Sequence, residues 1–184
     1  VTINFTVTDN EGRTASAELV IAIELTARQI LLKYNWQKSE EIRDADQTNY
    51  INPAYVDDIY RFNADGTYNK SIGELNDGLG DVLNQYCIYD FNDNTLRLLL
   101  SKTDFLGGET VDTLNITVID DSQITATTTI YGLDFFGPPF QAVEPFTFTY
   151  VAVPKSASFD PYAPGATDDA GLGWNCANTP LVNP

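Results

Sequence analysis

The 184-residue chain contains no histidine. That absence removes Ser-His-Asp and Cys-His catalysis, histidine-based zinc or iron sites, and an imidazole switch near neutral pH. Basic residues are scarce, ten against twenty-six acidic ones, for a formal net charge of −16. Such a field repels phosphate backbones and anionic lipid headgroups, so no nucleic-acid partner is expected. No apolar run approaches the roughly eighteen residues of a membrane-crossing helix, so no transmembrane span is expected either. Methionine is also absent and Val1 opens the chain, which therefore reads as processed or trimmed, without a signal peptide. Cysteine is limited to Cys87 and Cys176, far apart and in no metal-type spacing. In an oxidising compartment the two would pair and tie the C-terminal tail down, a link worth on the order of 2–4 kcal/mol. The alternative is two unrelated buried thiols. No cofactor and no metal are expected.

What is present is β-forming. Apolar residues make up 43% of the chain, with ten Tyr and ten Phe, enough for a real core and weighted toward an all-β class. The pattern is organised around residues 56–73. Alternating runs flank Ala64-Asp65-Gly66, where Gly supplies the positive φ of a tight hairpin turn. Tyr60 and Phe62 lie on one parity and are answered by Tyr68 and Ile72.

Taken in order, residues 1–24 read as a β-hairpin turning at Asp9-Asn10-Glu11-Gly12. A lone hairpin is marginally stable, so it must pack, pair with another chain or belong to a larger unit. Residues 26–33 are the one credible helix, with Thr26 as N-cap. Alternation then recurs through the Trp36 stretch, the organising hairpin, 85–91, 95–101, 110–119, 123–131 and 145–153. Leu114, Ile116 and Val118 are expected on one face. These runs predict about eight strands, a number at which an up-and-down antiparallel sheet closes. Connections alternate between long and tight, so the long ones should gather at one end, where barrel ligand sites lie. The tail from 154 to 184 is rich in Pro, Gly, Asp and Asn and reads as irregular, held by aromatic contacts or as a linker.

Two resemblances follow from quoted stretches. FTVTDNEGRTASAELVI resembles the last two strands of PKD and related immunoglobulin-like modules. LLKYNWQKSE, DDIYRFNADGTY and CIYDFNDNTLRLLL together resemble the lipocalin-like β-barrel domains of Bacteroidetes secreted proteins and lipoproteins. Trp36, Tyr60, Phe62, Asp65, Gly66, Tyr68, Cys87, Leu96 and Leu98 are the matching positions. The second resemblance implies export to the extracellular or outer-membrane surface, often with a lipid anchor upstream. The expected organisation is a hairpin over 1–24, an eight-stranded lipocalin-like barrel over 25–153 and an irregular tail over 154–184.

For chemistry, Trp36, Tyr60, Phe62, Tyr68, Leu98, Ile116 and Phe148 are expected in the barrel interior, as core filling or as a cavity lining. Ligand or partner contacts are expected at the mouth from Tyr50, the Ala54-Tyr55 step, Leu79, Phe105, Phe135, Phe136 and Phe140. The apolar loop 132–144 reads as a plug, a lid or a partner patch. Carboxylate pairs such as Asp57/Asp58 and Asp120/Asp121 fall in expected turns, where Asp is favoured for backbone reasons. The expected function is non-enzymatic: a cell-surface binding or assembly module acting through the long-loop end, with another surface protein or protomer as partner, reached by strand addition at 1–24. The alternative is a carrier for a small apolar or glycan ligand in the barrel mouth. A void above about 300 Å³ would favour the carrier.

Overall fold

The opening alternation folds into two antiparallel strands, β1 (Thr2–Thr8) and β2 (Thr14–Val20), in a sheet of their own. The computed structural model describes residues 2–22, 24–71, 73–75, 85–103, 109–133 and 141–159. Asp9 nucleates the turn, its carboxylate accepting from the Glu11 and Arg13 backbone N–H groups, and Gly12 takes φ +81°. Ile3 faces Leu19 and Phe5 faces Ala17, so one side of this sheet is apolar. Every residue of both strands is exposed, Phe5 at 50% and Val7 at 69%.

The helix α1 (Ala27–Lys33) begins with a reciprocal capping box: Thr26 accepts from the Gln29 N–H, and Gln29 accepts from the Thr26 N–H. Its seven residues are too few to hold a helix unaided, so packing must do so. Leu31 is fully buried, and its carbonyl accepts the Trp36 indole N–H at 2.9 Å.

The remaining strands are β3 (Asn35–Arg43), β4 (Thr48–Asn49), β5 (Ile59–Phe62), β6 (Tyr68–Ser71), β7 (Gln85–Asn92), β8 (Arg97–Thr103), β9 (Glu109–Ile119), β10 (Gln123–Leu133) and β11 (Gln141–Val153). Their order is β6-β5-β3-β11-β10-β9-β8-β7, with the short β4 beside β3. The result is a nearly closed, eight-stranded antiparallel barrel. Among the described residues, one bridge, Thr67 to Ile88, ties the start of β6 to β7, and the Tyr89 N–H donates to the Gly66 carbonyl at 2.9 Å. The Asp65-Gly66 turn, with Gly66 at φ +85°, is thus also where the barrel seam closes.

The two ends differ. Connections 63–67, 93–96 and 120–122 lie at one end, and α1 spans it: Arg28 pairs with Asp93 at 2.8 Å and Lys33 with Asp121 at 2.9 Å. The other four connections leave from the opposite end, as chain order alone requires of a meander. Beneath the helix, Trp36, Phe62, Tyr68, Tyr89, Phe91, Leu98 and Leu114 form the core, joined by Ile116, Ile124, Phe148 and Tyr150.

Register shifts in β9, β3 and β7 interrupt the simple alternation. β9 carries an extra residue at Thr117, because Thr125 pairs with Val118 but Ala126 pairs with Ile116. Ile116 and Ile119 therefore both turn inward, and Val118, expected with Leu114 and Ile116, is exposed. β10 and β11 also run further into the apolar loop than the sequence suggests, to Leu133 and from Gln141.

Leu31→Ala should cost about 2–5 kcal/mol, the usual range for a fully buried leucine. Removing residues 1–24 should leave the barrel's urea midpoint unchanged, because β1 and β2 bury no side chain. Urea denaturation followed by far-UV circular dichroism tests both.

Candidate functional site

Charge enters the barrel interior through the bulge in β3. On β3, Tyr150 pairs with Lys38 and Thr149 with Glu40, leaving Ser39 as the extra residue. In a regular strand Lys38 and Glu41 would point to opposite faces, since side chains alternate with a period of two. The bulge puts both on the inner face, where they form an ion pair at 3.2 Å with little exposure on either side. Ser39 secures the kink by donating to the Thr149 carbonyl at 3.1 Å. The Lys38 ammonium also lies 4.0 Å from the Phe148 ring centroid, a cation–π contact on a desolvated ring face.

A second pair lies further round the barrel, beyond β11 and β10. Lys102 on β8 holds Asp112 on β9 at 2.8 Å. Burial pushes the Lys38 ammonium below its ordinary value, while Glu41 and Asp112 oppose that shift and Lys70 adds to it. Burial, reinforced by Asp112 and Glu41, drives the Tyr150 phenol far upward, so it stays a neutral hydroxyl.

The third pair is the most enclosed. Lys70 and Asp58 meet at 2.6 Å, with the side chains 3% and 0% exposed. The Lys70 ammonium sits 5.0 Å from the Tyr55 ring centroid and 5.7 Å from that of Tyr60. Two expectations are corrected here. Asp58 is a buried ionic group and not a solvated turn residue, and Lys70, cross-strand from Tyr60, occupies a position read as part of an apolar face.

Toward the end away from α1 the barrel holds a cavity of about 790 Å³, lined by Lys38, Glu41, Lys102, Asp112, Thr128 and Phe148, with Val111, Thr113, Asn115, Thr129 and Ile130 completing the described wall. It exists because the wall parts there. β10 pairs with β9 only from Ile124 to Thr127, while β10 stays on β11 through Leu133 and β9 stays on β8 through Glu109. The Thr128 hydroxyl, donating to the Thr113 carbonyl at 2.8 Å, marks the point of divergence.

Of the mouth residues expected from sequence, Tyr50 is exposed beside the Arg43 guanidinium, with its ring edge-on to Phe146 at 6.2 Å. Tyr55 is half-buried and faces inward onto Lys70. Leu79, Phe105, Phe135, Phe136 and Phe140 lie outside the described residues, as do Cys176 and the Cys87 side chain. Trp36, Phe62, Tyr68, Leu98, Ile116 and Phe148 sit in the core cluster, with Tyr60 packed against it. The cavity's charged and hydroxyl residues were not singled out from sequence. A lysine three residues before a glutamate in a strand (Lys38, Glu41) was the one available signal, and it is meaningless without the bulge. Among the described residues no group of three metal-ligating side chains occurs.

No family model matches the chain, and no curated protein matches it.

Removing one partner of the enclosed pair should destabilise strongly. Asp58→Leu is expected to cost about 3–5 kcal/mol, with the double change Asp58→Leu, Lys70→Met recovering most of it. Chemical denaturation of the single and double variants measures the difference.

Proposed function

We propose that the protein is a non-catalytic binding protein that takes a small polar molecule into the open end of its barrel. The observation that carries this reading is the cavity of about 790 Å³, well within the size range of small-molecule sites. Its polar lining argues against the apolar cargo that sequence left open, because such a ligand would strip water from two ion pairs and replace it with nothing. Glu41 and Asp112 share the cavity, which raises two-carboxylate hydrolysis. Each is held by a lysine, however, whereas that chemistry needs one carboxyl as a proton donor. The acidic composition and the many β-runs support an exported, cell-surface setting, in keeping with the resemblance to Bacteroidetes lipocalin-like domains.

Thr128→Trp fills the cavity from its wall. A screen of several hundred small molecules by ligand-observed NMR should find compounds that bind the native chain and not this variant, with the fold of both verified by circular dichroism. A screen with no Thr128→Trp-sensitive binder would refute the reading.

The separate two-stranded sheet β1–β2, whose outer edges pair with no other strand among the described residues and whose apolar face is exposed, favours a second role, assembly with a neighbouring protomer or surface protein by strand addition. Light scattering should then show a larger species for the full chain than for the chain lacking residues 1–24. Equal monomeric masses, with no partner captured from the source cell surface, would remove this role.

A further inference from the structure

We infer that the barrel cavity recognises an uncharged, hydroxyl-rich molecule, a neutral sugar in chemical class. This inference rests on the reading of the cavity as a ligand site and adds the identity of the ligand class.

The charge count comes first. The chain has five lysines, and three of them, Lys38, Lys70 and Lys102, face the barrel interior despite the net charge of −16. Each is matched by one carboxylate, from Glu41, Asp58 and Asp112. Among the described residues these three pairs are rich in charge and neutral in sum. An anionic ligand would have to displace Glu41 or Asp112 from its lysine, and a cationic one would have to displace the lysine. Either breaks an ion pair and leaves a charge without its partner, most costly at the enclosed Lys38–Glu41 pair. A neutral ligand leaves both pairs intact.

The hydrogen-bonding inventory narrows the class further. Around the cavity, ammonium groups donate, carboxylates accept, and the inward-facing Thr128 hydroxyl can do both. The β9–β10 ladder runs no further than Thr127 and Asn115, and just beyond it the Thr128 hydroxyl donates to the Thr113 carbonyl. A hydroxyl is the common ligand group that donates and accepts at once. Several on a small ring satisfy such a lining without carrying charge. A hydroxyl-poor ligand would leave these groups unpaired, and each loss costs specificity.

The test titrates the full chain with glucose, galactose, maltose and cellobiose, alongside glucuronate, glucosamine, laurate and an extended hexapeptide, by calorimetry and ligand-observed NMR. At least one neutral sugar should bind, and should bind about tenfold more tightly than its charged counterparts. Thr128→Trp should abolish that binding. Lys102→Met and Glu41→Gln should each weaken it about tenfold, with Lys102→Arg retaining most of it. If glucuronate, glucosamine, laurate or the peptide binds best and Thr128→Trp removes it, the ligand class is overturned and the ligand site stands. If nothing binds in a Thr128→Trp-sensitive way, both are overturned.

Discussion

The architecture depends on the burial of Leu31 and Trp36 in the floor of the barrel, where the Trp36 indole donates to the Leu31 carbonyl. A seven-residue helix cannot persist in water unaided, and a barrel without a floor would admit solvent from both ends. The bond joins the two problems and solves them together. It fixes the helix over the tight-turn end, where Arg28 and Lys33 fasten it to the turns at Asp93 and Asp121. Those surface pairs are individually worth little. The burial of Leu31 and Trp36 carries the stabilisation. With that end sealed, the cavity lies toward the opposite one.

The interior changes character along the barrel axis. Near the helix it is an aromatic core, with Phe62 stacked on Tyr68 and edge-on to Tyr89 at 5.0 Å. Toward the mouth it becomes a layer of ion pairs and hydroxyls. Buried pairs are a poor route to stability, since apolar residues of equal volume usually do as well or better. On the function proposed above, a layer of them beside a cavity serves as a recognition surface. The aromatic rings beneath Lys38 and Lys70 keep water away from the ammonium groups and sharpen the electrostatics of that surface.

Much of the fold was legible from residue pattern. Period-two alternation, the Asp65-Gly66 turn, the Thr26 cap and the order of long and tight connections are local features, and they led to an eight-stranded meander with distinguishable ends. The site was far less legible. Lys38 had no reading beyond the Trp36 stretch, Asp58 read as a turn residue, and Lys70 shared the parity of Tyr68 and Ile72, read as an apolar face. Each reading assumed unbroken alternation or local turn chemistry. The bulge at Ser39 breaks the first assumption, and the ion pair between Asp58 and Lys70 breaks the second.

The sequence by itself determined which segments are strands, where they turn and at which end the connections gather, because these follow from side-chain periodicity and backbone preferences within a few residues. Tertiary structure alone decided what faces inward at the mouth. A bulge is set by how a strand meets its partner, and the parting of β9 from β10 by how the whole sheet closes. Both act between residues far apart in the chain, so no local pattern records them.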